Sequence, residues 1–173
     1  MNYLILSLAV LFSACAHPGK TSVRDQKSAA KSLHLARTGP SAPAKHSTRV
    51  VRTTAYSHME DGNRKNALGQ QLTCGSTYSA SADWSRYPAG TIFRMAHNGR
   101  TYIVDDYGSA LVGTDTIDLY VPSLREMHQW GVRNVQINVL KMGNFADSLA
   151  TLRPRTRTAY VRRMVRDLET KVF

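Results

Sequence analysis

Hydrophobic and polar residues alternate with two different periods along this chain, and the change of period divides it. Arg49–Tyr56 is rich in β-branched residues, and Thr91–Ala96 and Arg133–Lys141 alternate with period two. Ser79–Ala82, Arg100–Asp105 and Ile117–Tyr120 are short, largely apolar runs. Each of the six predicts a strand. His97-Asn98-Gly99 lies between two of them, and Asn-Gly in that position predicts a hairpin over Thr91–Asp105. Pro122–Gly131 predicts a short helix, capped by Ser123 with Glu126 three residues on and ended by Gly131. From Val161 the apolar residues Val161, Met164, Val165, Leu168 and Val172 fall on one helical stripe, with Arg162, Arg163, Arg166 and Lys171 mostly elsewhere. Such a stripe packs against the body of the protein or a neighbouring subunit, or docks on a membrane surface.

Six short strands and one small helix in under a hundred residues make the fold class mainly β, a small barrel over residues 48–143. Residues 144–173 form a helical, basic C-terminal extension. Between the first two strands, Ser57–Thr77 is polar and punctuated by Gly62, Gly69 and Gly75, a long surface loop of the kind that shapes a cleft. Its Glu60 and Asp61 are candidate auxiliary acids or simply solvated. Cys74 has no cysteine partner in the barrel and no histidine at zinc-ligand spacing, so it reads as a structural thiol. His128 reads as a packing or surface residue.

Ahead of the barrel, residues 1–16 read as an export signal: Tyr3–Phe12 is almost wholly apolar and too short to span a bilayer as a mature helix. Small residues before Cys15 resemble a bacterial lipobox, which makes Cys15 a lipidation site and the membrane a partner through that anchor. Ala14-Cys15-Ala16 also fits cleavage before His17 with a soluble product. Residues 17–47, rich in Lys, Ser, Ala and Pro, read as a disordered basic tether.

The net charge of +11 is unevenly spread. Residues 49–143 carry ten Lys/Arg against eight acids, while residues 144–173 carry seven against three. With the barrel nearly balanced and no nucleic-acid module legible, no nucleic-acid partner is expected. Basic ends suit a protein held near an anionic polymer or membrane surface.

Candidate chemistry concentrates in Thr101–Tyr120, where two strand-like runs end in carboxylates around a link holding Gly108, Ser109 and Gly113. Adjacent Asp105 and Asp106 point to opposite faces if the strand continues through them, so only one can face a cleft. Taken alone, Asp105, Asp106, Asp115 and Asp118 are equally consistent with turn capping.

The order of several segments is more specific. Thr54-Ala55-Tyr56, Ala67-Leu68-Gly69, Ser81-Ala82-Asp83, Pro88-Ala89-Gly90-Thr91, Asp106-Tyr107-Gly108-Ser109-Ala110, Gly113 and Ile117-Asp118-Leu119-Tyr120 together resemble the bacterial 3D (three-aspartate) domain, shared with the barrel of the membrane-bound lytic transglycosylase A family. The resemblance implies a six-stranded double-psi β-barrel in the cell envelope, acting on peptidoglycan glycan strands without a cofactor or metal. It maps the three aspartates onto Asp83, Asp106 and Asp118, with Asp106 the catalytic acid, and suggests Thr54, Tyr56, Tyr107 and Ser109 as substrate contacts. Tyr107 replaces a usual threonine, Ser109 a glycine, Ala89 a leucine, and Trp84 stands where a proline often follows Asp83.

The implied reaction cleaves the MurNAc–GlcNAc bond with the sugar's own C6 hydroxyl as nucleophile, leaving a 1,6-anhydromuramyl end. One acid then serves twice, and it must start protonated, through burial or a like charge such as Asp118 or Asp83. The competing reading is a non-catalytic wall-binding or wall-loosening module, since fold alone does not determine activity.

Overall fold

The computed structural model describes residues 47–173. The export signal with Cys15, and the tether up to residue 46, lie outside the described residues. Ser47, placed in the tether by its composition, already belongs to the first strand, because backbone pairing with the last strand extends two residues beyond the β-branched run.

Six strands close into a barrel: β1 (Ser47–Tyr56), β2 (Tyr78–Ser81), β3 (Ile92–Met95), β4 (Thr101–Asp106), β5 (Ile117–Tyr120) and β6 (Arg133–Lys141), in the spatial order β1-β5-β2-β4-β3-β6. Two pairs are parallel, β1 with β5 and β2 with β4, and the antiparallel β2/β5 contact joins them. This is the mixed, crossed-over arrangement of the expected double-psi barrel. The β3/β4 hairpin forms as predicted, with Gly99 at φ 69 in its turn, a left-handed conformation that glycine adopts without a Cβ penalty.

Inward-facing residues of all six strands fill the barrel. Val51, Ala80, Phe93, Met95, Tyr102, Val104, Leu119 and Ile137 are buried, with Phe93 stacked on Tyr102 at 5.4 Å. Helix α1 (Leu124–Trp130) begins at Ser123, whose side chain accepts from the Glu126 amide, and ends at Gly131. It buries none of its residues fully, and His128 is exposed. Cys74 is also exposed, a correction to its reading as a structural thiol: the polar loop around it offers no core to enter.

The C-terminal extension folds back on the barrel. Helix α2 (Phe145–Leu152), a 3-10 turn (Arg153–Arg155) and helix α3 (Ala159–Val172) follow β6. The predicted stripe is buried: Val161, Met164, Val165 and Leu168 join Leu149 and Leu152 in the same apolar cluster as the barrel interior. Docking is tightened by the Pro88-Ala89-Gly90-Thr91 turn. Its Ala89 amide donates to Ser148 Oγ (3.0 Å), and Thr91 Oγ1 accepts from the Gly143 amide (3.0 Å). A Cβ on Gly143 would collide with the Pro88 and Ala89 carbonyls, so this close approach requires glycine. No helix among the described residues is long and apolar enough to cross a membrane.

Candidate active site

Strand registry lines up four polar side chains at one end of the barrel. Thr54 on β1 pairs with Asp118 on β5, Asp118 pairs with Ser81 on β2, and Ser81 pairs with Asp106 on β4. A register shift between Ala80 and Ser81 brings Ser81 opposite Asp106. Such bulges re-aim side chains at barrel rims. With Ser81 between them, the backbones of the two aspartates stand two strand spacings apart, roughly 10 Å.

This row lies in an open cleft of about 600 Å³, walled on one side by Tyr107–Leu111 and on the other by the loop after β1. The volume is within the usual range for a small-ligand site. His58, Glu60, Asp61, Asn63 and Lys65 of that loop line the cleft, so the polar segment shapes it as expected. Glu60 is engaged locally, accepting from the Ser57 amide (3.1 Å). His58 Nδ1 lies 2.7 Å from the Tyr120 hydroxyl, a contact that links this loop to the end of β5.

The adjacent pair at the end of β4 differs in burial. Asp105 is 4 % exposed, its Oδ2 accepting from Ser79 Oγ (2.7 Å) and Asn66 Nδ2 (2.9 Å). Asp106 points into the cleft. Its Oδ1 accepts from the amides of Ala67 (3.1 Å) and Tyr107 (2.9 Å). Burial pushes the Asp106 carboxyl up to about 6, against its two amide donors and with help from the neighbouring Asp105 charge. The like charge beside it is therefore Asp105, where Asp118 or Asp83 was expected. Burial also raises Asp118, whose Oδ1 accepts a short bond from Thr54 Oγ1 (2.6 Å) that opposes the shift; Glu60 raises it further and Arg52 lowers it.

Asp83 does not join them. It is fully buried and outside the cleft, with Oδ1 accepting from the Ser85 amide (2.8 Å) and Ser85 Oγ (2.7 Å), and Oδ2 from the Gly113 amide (2.6 Å). Both oxygens are occupied in tying the turn after β2 to the loop before β5. Its expected catalytic role gives way to a structural one, because no face of the carboxylate is left for a sugar.

Thr54, Tyr56, Tyr107 and Ser109 all line the cleft. Ser109 is exposed, and Tyr56 packs on Tyr120 with its phenol pushed up in pKa by burial. The two departures around the acids touch each other. Trp84 meets the Tyr107 ring edge-on (5.0 Å, 85°), and its indole N–H donates to the Asp106 carbonyl (2.9 Å). A tryptophan after Asp83 and a tyrosine after Asp106 thus form one unit that fixes the backbone of the cleft acid, an arrangement aromatic pairs favour. Ser81 and Asn66 are the functional neighbours that spacing did not single out. Asn66 spans the loop, since its Oδ1 accepts from the Leu68 (3.0 Å) and Gln70 (2.9 Å) amides while its amide reaches Asp105.

No cluster of three or more His, Cys, Asp or Glu side chains suited to a metal ion occurs among the described residues. Electrostatically the cleft offers a carboxylic acid that keeps its proton up to about pH 6, a second acid hydrogen-bonded to a threonine, and the Ser81 hydroxyl between them. That set can donate a proton and grip polyhydroxylated ligands.

Comparison with known proteins gives a family match within the barrel. Residues 78–141 match the family model of the 3D domain, a span that includes Asp83, Asp106 and Asp118. Among solved structures, the crystal structure of MltA from E. coli is similar, with 25% identity and a TM-score of 0.35. The match covers 46% of this chain and 28% of that one. No curated protein sequence matches. The matched span holds β2 to β6, so that part of the barrel is similar to the 3D domain.

Proposed function

We propose that this protein is a cell-envelope lytic transglycosylase that cleaves the MurNAc–GlcNAc bond of peptidoglycan and leaves a 1,6-anhydromuramyl end. The observation that carries the reading is Asp106: a carboxyl raised to about 6, set in an open cleft on the row shared with Asp118. In the first step Asp106 gives its proton to the glycosidic oxygen as the bond to the anomeric carbon breaks. The C6 hydroxyl of the same sugar then attacks that carbon, and its proton returns to Asp106. The acid ends as it began and no water is consumed. Asp118, with Thr54, grips sugar hydroxyls or orients the ring, and Tyr56, Tyr107 and Ser109 contact the strand. Lipidation at Cys15 would hold the barrel at the membrane, facing the wall, with no nucleic-acid partner and no cofactor.

The test is mass analysis of peptidoglycan digested by the purified chain. Anhydromuramyl ends absent from an Asp106→Asn digest are the expected result. Reducing muramyl ends would point to hydrolysis instead. Binding to sacculi with no new ends of either kind would leave the wall-binding module as the better reading.

A further inference from the structure

The C-terminal extension touches the segments whose amides hold Asp106 and Asp83 in place. Arg155 Nη1 donates to the Ala67 carbonyl (2.6 Å), and the Ala67 amide donates to Asp106 Oδ1 (3.1 Å). Tyr160 packs near Tyr107, whose amide is the other donor to that oxygen (6.3 Å between rings). Lys171 Nζ donates to the Ser85 carbonyl, next to the donors that bind Asp83. Arg163 lies against Gly113, the remaining donor to Asp83, so closely that a Cβ there would meet its guanidinium. The extension lies wholly beyond the residues that match the 3D domain.

We infer that the extension is a working part of the active site, and that Arg155 is a positioning residue that seats the Asn66–Leu68 turn on Asp106. Arg155 itself stays outside the cleft lining, so it acts through Ala67. Asn66 bonds Asp105 and Ala67 bonds Asp106, so one turn engages both adjacent acids. Seating that turn does two opposed things to the cleft acid: its amide favours the carboxylate, and its bulk keeps water away. Burial is the larger influence on Asp106. Loosening the turn weakens the Ala67 bond to Asp106 and opens that side of the acid to water. The charged and titratable groups around Asp106 are Asp105 and Tyr107 beside it in the chain, Arg52 and Tyr56 on β1, Asp118 on β5, and His58, Glu60, Asp61 and Lys65 from the loop. None of them lies on the extension, so an Arg155 variant removes none of these charges.

The activity part rests on the proposed glycan cleavage; the positioning part does not. The experiment is a pH titration of the Ala67 amide by nitrogen–proton NMR in the full chain and in Arg155→Gln and Arg155→Lys. It is read beside turnover on peptidoglycan and the melting temperature. In the parent chain the Ala67 amide should follow the titration of Asp106 near pH 6. In Arg155→Gln that response should shrink, with kcat at pH 7 reduced roughly tenfold, KM nearly unchanged, and the response and kcat restored in large part by Arg155→Lys. An Arg155→Gln chain that merely melts earlier, while its Ala67 amide titrates as before, would overturn the assignment. A chain with no turnover in any form but with the expected change at Ala67 would sink the enzyme reading and leave the positioning role standing.

Discussion

Asp83 and Asp106 end up close to the ends of neighbouring parallel strands, yet their surroundings use the same carboxyl group in opposite ways. Around Asp83 the chain closes completely: three donors from Ser85 and Gly113 occupy both oxygens, and no surface is left exposed. Around Asp106 it closes only on one side. Two amides hold Oδ1, the Trp84–Tyr107 pair fixes the backbone, and the rest of the group faces the cleft. A carboxylate whose oxygens are all occupied is a structural strut. One that is desolvated but only partly bonded keeps a proton to give. The difference lies in the donors supplied, and these come from segments distant in sequence.

The largest way to separate the two regions is to neutralise each acid. Asp106→Asn keeps the shape and both accepted amide bonds, so turnover should fall by roughly 10²- to 10⁴-fold, the usual worth of a positioned acid, while the chain stays folded. Asp83→Ala should do the reverse. It strands buried donors, so unfolding experiments should show a loss of about 3 kcal/mol, and the fraction that remains folded should keep measurable turnover. Equal losses of turnover per folded molecule in both variants would erase the distinction.

A subtler contrast appears with pH. The folded-state pKa of Asp106 is raised from 3.8 to about 6, so its contribution to stability is fully present below the unfolded value and is lost as pH rises through the folded one. At pH 7 the ionised group then costs about 1–2 kcal/mol, allowing for its partial exposure. Asp106→Asn should therefore unfold at a higher temperature than the parent chain at pH 7, and the gap should close towards pH 4. Thermal melts across that range check it; a gap independent of pH would remove the strained acid from the picture. The smallest effect is expected at Thr54. Thr54→Val deletes the short bond to Asp118, and a loss of about 1 kcal/mol in kcat/KM, roughly fivefold, should follow with little change in melting temperature.

Much of the barrel was legible because its strands obey local rules. Alternation marked Arg49–Tyr56 and Arg133–Lys141, Asn98-Gly99 marked the hairpin, and the Val161–Leu168 stripe marked a packed helix. What local rules do not carry is register. Parallel pairing of β1 with β5, and the shift between Ala80 and Ser81, create the row from Thr54 to Asp106, and neither leaves a periodic trace. The three aspartates were likewise legible as a set but not as individuals. Asp83 and Asp106 part company through the Gly113, Ser85 and Ala67 backbones, and backbone amides carry no sequence signature. The reach of Arg155 to Ala67 spans 88 residues and was invisible for the same reason.

The central requirement is that the cleft acid keeps its proton well above the pH at which an ordinary aspartate loses it. Carbon-13 NMR of chain labelled at the aspartate carboxyl carbons measures this directly, with the Asp106 resonance assigned by its absence from Asp106→Asn. A midpoint near 6 is the expected result. A midpoint near 3.8, the ordinary value for an aspartate, would leave almost no protonated Asp106 at neutral pH and contradict its role as the proton donor.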